Sequence, residues 1–273
     1  GTGSDFVFVN PDPELEALAT IKRTPCRPHP IPSIAVTAIC LDKAATVEQS
    51  RSSRDFPRTF PIHSSDDVER AFSELDTPIW LRATIGPGGR GSLPVSRPEE
   101  VDFWTTYWQR QGRRDQWVLQ EYLPGRNLNW TGLFHRGTLL ASAAMERLRY
   151  FLGNATVSGV SGQVALCATV DPQEVEEVAR RVVTRLEREP SGLYSVDLRL
   201  ASDGNPKVTE INPRLAGRPW LYTNAGINLP LASVRALTGL DPGDALDSNG
   251  FRIGLHLYRQ LDVEPIFGTT PPI

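Results

Sequence analysis

Many short segments of this chain alternate apolar with polar residues or are continuously apolar, and both patterns are typical of β-strands. Turn residues such as Arg136-Gly137 separate neighbouring segments, which favours antiparallel hairpins. The strands predicted in this way are DFVFVN (5–10), RTFPI (58–62), PIWLRAT (78–84), LPV (93–95), QWVLQEYL (116–123), NLNWTGLFH (127–135), TLLASAAMERLRY (138–150), residues 163–169, the hairpin LYSVDLRLASDGNPKVTEIN (193–212) and FRIGLHLYR (251–259).

Other segments show helical periodicity after a capping residue. The stretch TPCRPHPIPS (24–33) has four prolines in ten positions, so we expect an extended crossing there. Four aromatic residues in one predicted helix recur at helical spacing, which predicts core packing for Phe103, Trp104, Tyr107 and Trp108. The predicted helices cover residues 14–22, 42–52, 66–75, 98–111 and 172–189. This order of elements predicts an α+β fold, with antiparallel sheets holding a cleft between two lobes.

Composition excludes some classes of protein. The 273 residues are 40% hydrophobic and 22% charged, which is typical of a globular chain with a substantial core. A net charge of -3 gives no general basic surface, so nucleic acid is not an expected partner. No apolar run approaches the roughly 18–20 residues that span a bilayer, and the three cysteines lack metal-ligand spacing. We therefore expect a cytoplasmic protein with no membrane partner.

Three side chains with oxygen donors occupy the hairpin at 193–212. Asp197 lies in its first strand, and Glu210 and Asn212 lie two positions apart in the second, so these two share a face. With ASDGN as the turn, Asp197 falls nearly opposite them. Hard oxygen donors of this kind suit a Mg²⁺ ion shared with substrate phosphates. The spacing alone leaves the alternative open that these are solvated residues beside a turn.

A glycine-rich loop, IGPGGRGS (85–92), follows the strand that contains Arg82. Glycine lets the backbone approach a ligand closely, so that successive N–H groups can point at phosphate oxygens. The loop matches neither the Walker pattern nor the dinucleotide fingerprint. Its interest comes from the adjacent cations Arg82 and Arg90.

Together these features resemble the ATP-grasp superfamily, most closely the branch of the carbamoyl phosphate synthetase large chain and related carboxylate-amine ligases. The likeness covers about residues 42–240. Four motifs occur in the family's order, namely Asp42-Lys43, LRATIGPGGRGS (81–92), QEYLPGR (120–126), and SVDLRL followed by TEINPR (195–200 and 209–214).

The resemblance implies an ATP-grasp fold in which two α+β lobes clasp ATP. Residues 1–41 would be a remnant of an N-terminal Rossmann-like domain and its linker. Residues 42–115 would form the first part of the ATP-grasp unit, in which 78–95 begins the small nucleotide lobe. Residues 116–273 would form the catalytic lobe.

The resemblance also implies roles for individual residues. Asp197, Glu210 and Asn212 would be the Mg²⁺ ligands. Arg214 and Arg82 would be the catalytic cations, with Arg82 also on the nucleotide phosphates. The other implied nucleotide contacts are Lys43, Gly88, Gly89, Arg90 and Gly91 at the phosphates, and Glu121, Tyr122 and Leu123 at the adenine.

The implied activity uses ATP and one or two Mg²⁺ ions to convert a carboxylate into an acyl phosphate, which an amine then attacks. Small molecules or peptides would supply the carboxylate and the amine. Two alternatives stay open, which are a carbamoyl phosphate synthetase-like phosphorylation of bicarbonate or carbamate, and a catalytically degenerate ATP-binding module. The sequence also leaves a homodimer open.

The chain departs from the family pattern at Asn127 and Asn129, where carboxylates are usual. Ribose and metal contacts are in question at these positions. For the substrate, Arg147 and Arg149 are candidates because we expect them to share one face of a strand. Arg218 and Trp220 are further candidates, since NPRLAGRPW (212–220) follows the proposed metal strand.

Overall fold

The structure is a computed structural model. It describes residues 8–10, 12–20, 31–42, 45–46, 48, 53–84, 89, 91–113, 115–215, 217–246, 250–260 and 264–270. Of the predicted strand DFVFVN, residues 8–10 are described and are not in a strand, whereas 5–7 lie outside the described residues. The predicted Rossmann-like remnant is therefore not confirmed.

The described residues form helices and antiparallel strands, which confirms the predicted α+β class. The helices are α1 (Asp12–Thr20), α2 (Ile34–Leu41), α3 (Ser65–Glu74), α4 (Pro98–Arg110), α5 (Gln173–Leu186), α6 (Pro219–Asn224) and α7 (Leu229–Thr238). The strands are β1 (Thr59–Ile62), β2 (Ile79–Ala83), β3 (Leu93–Val95), β4 (Trp117–Gln120), β5 (Asn127–His135), β6 (Thr138–Tyr150), β7 (Val164–Val170), β8 (Gly192–Leu200), β9 (Pro206–Asn212), β10 (His256–Tyr258) and β11 (Ile266–Gly268). No helix in the described part of the chain is long and apolar enough to cross a membrane.

The smaller sheet has four antiparallel strands in the order β1-β4-β2-β3. Helix α3 begins after Ser64 because the Asp67 carboxylate accepts hydrogen bonds from the N–H groups of His63 and Ser64. Apolar side chains of α3 and α4 pack on alternate residues of the strands, such as Ile79 and Leu81, and both of these are fully buried. The opposite face of this sheet is thereby left for the cleft.

The larger sheet has seven antiparallel strands in the order β11-β10-β7-β6-β5-β8-β9. Its central strand pairs are β5 with β6 and β5 with β8, and apolar residues cover both sides of them. On one side, Val196 and Leu198 pack with α2 and α5. On the other side, Leu133 and Met145 pack with α6 and α7, and polar side chains continue that face toward the cleft.

The aromatic stripe of α4 differs from the prediction. Trp104 and Trp108 pack against the core of the small sheet, as predicted. Phe103 is 71% exposed and Tyr107 is 44% exposed, so the prediction that all four pack in the core is wrong. The four residues span more of the helix circumference than the narrow contact with a four-stranded sheet can cover.

Residues 121–126 connect the two sheets, since β4 belongs to the small sheet and β5 to the large one. This connection is tied to the β8–β9 hairpin: the Gly125 N–H donates to the Leu200 carbonyl at 3.0 Å, and the Leu200 N–H donates to the Arg126 carbonyl at 3.1 Å. A Cβ atom on Gly125 would lie 2.6 Å from the Leu200 Cβ, so only glycine fits. The predicted boundaries at 42 and 116 stay predictions.

Asp55, which precedes β1, is joined to the larger sheet and its helix α5 by several hydrogen bonds. The Asp55 carboxylate accepts hydrogen bonds from the guanidinium group of Arg181, the closest at 2.7 Å, and from Arg185 at 3.2 Å. The Asp55 carbonyl accepts from the Val208 N–H of β9 at 2.7 Å. Hydrogen bonds from Arg181 hold the pKa of Asp55 below its ordinary value.

We expect Asp55→Asn to destabilise the protein by about 2 kcal/mol at pH 7, because the charged hydrogen bonds from Arg181 and Arg185 are lost. Urea unfolding measures this difference. The pKa of Asp55 is lower in the folded state than in the unfolded state, where it is about 4. Its contribution to stability is therefore fully present above about pH 4 and is lost as the pH falls through the folded-state pKa. Glu177→Gln is the control, because Glu177 pairs with Arg181 but is 90% exposed. Equal losses from both variants would contradict the prediction.

Candidate functional site

A cavity of about 610 Å³ lies between the two sheets. The small sheet contributes Arg82 of β2 and Gln120 of β4 to its wall, and the large sheet contributes polar residues of β5, β6, β8 and β9. The connection between the sheets closes one end, where Glu121, Tyr122 and Leu123 line the cavity. The cavity is therefore the cleft that the sequence predicted between two lobes.

Strand register brings the predicted metal residues together. Asp197 of β8 lies directly opposite Glu210 of β9, and Ser195 lies opposite Asn212. On the other side of β8, Asp197 lies opposite Asn129 of β5. Because side chains alternate along a strand, this face of the sheet presents a row of polar groups to the cavity. Asp197, Glu210 and Asn212 all line it.

Asp197 is already engaged with two other residues of the cavity floor. Its Oδ1 accepts a hydrogen bond from the Arg147 guanidinium at 2.5 Å and another from the Asn129 amide at 2.6 Å. The side chains of Asp197 and Arg147 are each 17% exposed. Burial lowers the pKa of Arg147, but the charge and hydrogen bond of Asp197, together with Tyr150 and Tyr222, raise it above the ordinary value. Arg147 therefore stays charged.

Arg82 reaches across the cleft from the small sheet to β9. Its guanidinium lies 3.8 Å from Oε2 of Glu210 and donates to the Thr209 carbonyl at 3.3 Å. The register shifts between Asp197 and Leu198 place Thr209 in a β-bulge, which turns its carbonyl out of the ladder. Burial lowers the pKa of Arg82, and the negative charges of Glu210 and Asp197 oppose that shift. This arginine thus links the two sheets at the predicted metal residues.

The predicted adenine hinge lies at the end of the cavity. The Glu121 N–H donates to the Arg58 carbonyl at 2.9 Å, which fixes the start of the connection. The ring of Tyr122 lies 6.3 Å from the ring of Trp80, centre to centre. Glu121, Tyr122 and Leu123 follow β4 directly, lie outside the strand and line the cavity. Their role as adenine contacts stays a prediction.

Two glycines of the predicted phosphate flap are described. Gly89 lines the cavity with a φ of +68°, and a Cβ there would lie 3.2 Å from a methyl group of Val160. Gly91 has a φ of +76°, and its carbonyl accepts a hydrogen bond from the Trp104 indole at 2.6 Å. The predicted nucleotide residues Lys43, Gly88 and Arg90 lie outside the described residues.

The predicted substrate residues separate into two groups. Arg147 and Arg218 line the cavity, as does Arg214, the predicted catalytic cation. Burial, and then repulsion by Arg259, lower the pKa of Arg218 to about 10. Arg149 and Trp220 are exposed and are not among the residues that line the cavity.

Arg149 is separated from Arg147 by a β-bulge in β6. The bulge interrupts the pairing with β7 between the two arginines, so the predicted shared face is wrong for this pair. Trp220 lies at the first turn of α6 and is 56% exposed, because α6 turns this side chain away from the cleft.

Sequence reasoning missed part of the cavity network. Asn127 donates to the Tyr150 hydroxyl at 2.9 Å and accepts from Arg147 at 3.3 Å. Asn129 accepts from the Tyr222 hydroxyl at 2.9 Å. In the sequence the two asparagines stand out only as departures from the family pattern. Their alternation with the apolar Leu128 indicates that both face the side of the sheet that carries the predicted metal residues.

The donor set fits a divalent ion that shares ligands with phosphate. Two carboxylates and one amide face the cavity, and hard oxygen donors of this kind suit Mg²⁺. No group of three or more His, Cys, Asp or Glu side chains able to hold a metal exists among the described residues. Phosphate oxygens and water would complete the ligands of a Mg²⁺ ion held by these residues.

Comparison with known proteins gives a family match. A family model described as ATP-grasp in the biosynthetic pathway with Ter operon matches residues 113–254, which is more than half of the chain. Carnosine synthase 1 of Homo sapiens is 26% identical over 197 residues, which cover 67% of this chain and 24% of that protein. The chain thus spans about a quarter of the length of this relative.

Two solved structures illustrate the likeness in fold. The biotin carboxylase domain of the Hydrogenobacter thermophilus 2-oxoglutarate carboxylase, in complex with MgADP, ADP and bicarbonate, superposes with a TM-score of 0.69 at 15% identity, over 93% of this chain and 58% of that one. An L-amino acid ligase from Bacillus licheniformis superposes with a TM-score of 0.57 at 16% identity, over 90% of this chain and 57% of that one. The family match and these superpositions agree with the motifs and the cleft, and the chain belongs to the ATP-grasp family.

Proposed function

We propose that this protein is an ADP-forming ligase that activates a carboxylate as an acyl phosphate and joins it to an amine. The observation that carries the proposal is the meeting of Arg82, from the small sheet, with the Asp197–Glu210 pair of the large sheet inside one cleft. Transfer of a phosphoryl group from a nucleoside triphosphate needs a divalent ion and fixed cationic side chains to neutralise the phosphate charge. The cleft offers residues for both.

The nucleotide would lie along the cleft from the hinge to the polar floor. The adenine would contact the main chain of Glu121, Tyr122 and Leu123 at one end. The phosphates would extend toward Arg82 beneath the glycine flap. A biotin carboxylase domain of the same fold was solved with MgADP, which supports a magnesium nucleotide as the ligand of this cleft.

Asp197, Glu210 and Asn212 would hold Mg²⁺. When bound there, Mg²⁺ would neutralise charge on the phosphate oxygens. Arg147 pairs with Asp197, and Arg82 lies beside Glu210. With Mg²⁺ beside the two carboxylates, both arginines would be available to bind the anionic groups of the nucleotide or the substrate. The residues that pair with each other in the cleft would thus exchange partners together.

In the first step, a carboxylate oxygen of the substrate attacks the γ-phosphorus of ATP, and the bond to the β-phosphate oxygen breaks with release of ADP. In the second step, an amine attacks the acyl carbon, phosphate leaves, and the amine loses a proton. Arg82 and Arg214 would offset the negative charge that keeps two anions apart. Neither step requires a nucleophilic side chain of the protein.

The substrate carboxylate would bind at the basic end of the cleft. Arg147, Arg214 and Arg218 all border the cavity there. Among the residues that the structure describes, none accepts a hydrogen bond from the buried Arg218 Nε, and a bound carboxylate would supply an acceptor. The relatives include a carnosine synthase and an L-amino acid ligase, so amino acids and short peptides are the first substrates to screen.

We expect the protein to form ADP and phosphate from ATP, in the presence of Mg²⁺, with an amino acid or short peptide. Hydroxylamine should replace the amine and yield an acyl hydroxamate, because it traps an acyl phosphate. Coupled assays for ADP and a colour reaction for the hydroxamate measure both. AMP formation would contradict the proposal. ATP binding without product across the screen would favour a nucleotide-binding module.

We expect Asp197→Asn and Glu210→Gln each to reduce ADP formation at least about 100-fold, because each removes a charge that holds the metal. Asp203→Asn is the matched control, since Asp203 lies in the turn of the same hairpin, with its carboxylate bonded to Asn205. That variant should retain activity within about twofold. Wild-type rates in either cavity variant would contradict the assignment of the site.

Arg82→Ala should raise the KM for ATP about 10- to 100-fold, through loss of a charged hydrogen bond to phosphate. Arg82→Lys should recover part of this loss, because lysine keeps the charge but not the planar fork of donors. Arg70→Ala serves as the control, because Arg70 pairs with Asp67 on the outer side of α3. An unchanged KM in Arg82→Ala would place the phosphates elsewhere.

A further inference from the structure

A line of buried hydrogen bonds leads from α6 to the predicted metal residues. The Tyr222 hydroxyl donates to the Asn129 side-chain carbonyl at 2.9 Å. The Asn129 amide then donates to Oδ1 of Asp197 at 2.6 Å. Tyr222 is fully buried and Asn129 is 1% exposed, so solvent cannot replace either contact.

The contacts of Asn129 fix which way its amide points. Its carbonyl also accepts from Thr131, at 3.3 Å, and its NH₂ group also donates to Ser195, at 2.8 Å. Exchanging the two ends would place the carbonyl oxygen against the Asp197 carboxylate, where two acceptors repel each other. Burial raises the pKa of Tyr222, which keeps its hydroxyl a neutral donor.

An aspartate could not perform this task at position 129. A second carboxylate oxygen at 2.6 Å from Oδ1 of Asp197 would place like charges in contact inside a buried site. The amide instead adds a donor without adding charge. This electrostatic difference is a physical reason for asparagine, instead of the usual carboxylate, at position 129 of this chain.

The hydrogen bonds to Asp197 leave one oxygen toward the cavity. Asn129 and Arg147 both donate to Oδ1, and among the described residues no side-chain hydrogen bond falls on Oδ2. We propose that Asn129, oriented by Tyr222, is a positioning residue that fixes the Asp197 carboxylate so that Oδ2 faces the divalent ion. This inference rests on the proposed function, because it takes the cleft as a metal–nucleotide site.

The test measures metal binding directly, apart from turnover. Free Mn²⁺ is followed by electron paramagnetic resonance while the whole chain is titrated with Mn²⁺ in the presence of ADP. We expect Asn129→Ala to weaken Mn²⁺ binding about 10- to 100-fold, the usual effect of losing a residue that holds a metal ligand. Tyr222→Phe, which leaves Asn129 in place but loses its orienting donor, should weaken it at least about threefold.

A matched variant separates positioning from stability. Tyr194 is also fully buried and donates its hydroxyl to one acceptor, Glu187, on the other side of the large sheet. Tyr194→Phe should lower Tm about as much as Tyr222→Phe but leave the Mn²⁺ affinity unchanged. The affinity for ADP without metal should stay within about twofold of wild type in all three variants.

The outcomes distinguish the two proposals. If wild-type protein binds Mn²⁺ with ADP, but Asn129→Ala and Tyr222→Phe bind it equally well, the positioning role is overturned and the proposed function stands. If wild-type protein does not bind Mn²⁺ with ADP, both are overturned. Loss of metal affinity in Tyr194→Phe to the same degree as in Tyr222→Phe would also overturn the positioning role, since the effect would then follow stability.

Discussion

Charged side chains of both signs meet in the cleft between the two sheets. Removing an ion from water is costly, so each buried charge must be matched by a neighbour or a ligand. In this protein, Asp197 is matched by Arg147 and Glu210 lies beside Arg82. Each of these carboxylates therefore has a guanidinium group beside it. A ligand that carries both a cation and an anion can satisfy all four groups at once.

The antiparallel sheet determines where these charged and polar side chains lie. Because neighbouring strands are in register, Asn129, Asp197 and Glu210 form one row on the cavity face, while Val196 and Leu198 fill the core behind them. A slip of one residue would exchange the two faces and bury the charges in the apolar core. The packing of the core therefore protects the arrangement of the site.

The sequence predicted the regular part of the structure well. Strands 127–135 and 138–150 have the predicted bounds, because strong alternation and a glycine turn specify a hairpin locally. Features that depend on tertiary contacts were not predictable. The bulge that separates Arg149 from Arg147 leaves no trace in the period of the strand. The exposure of Phe103 depends on how wide a sheet lies beneath the helix, and the helix sequence does not contain that information.

The tie between Gly125 and Leu200 has a mechanical consequence. The connection at 121–126 is hydrogen-bonded to the same hairpin that carries Asp197 and Glu210, so both belong to one hydrogen-bonded framework. A rotation of the small sheet away from the large one would leave the distance between this connection and the hairpin unchanged. Such a rotation would separate Arg82 from β9. The contacts of Arg82 with Glu210 and Thr209 would therefore oppose it.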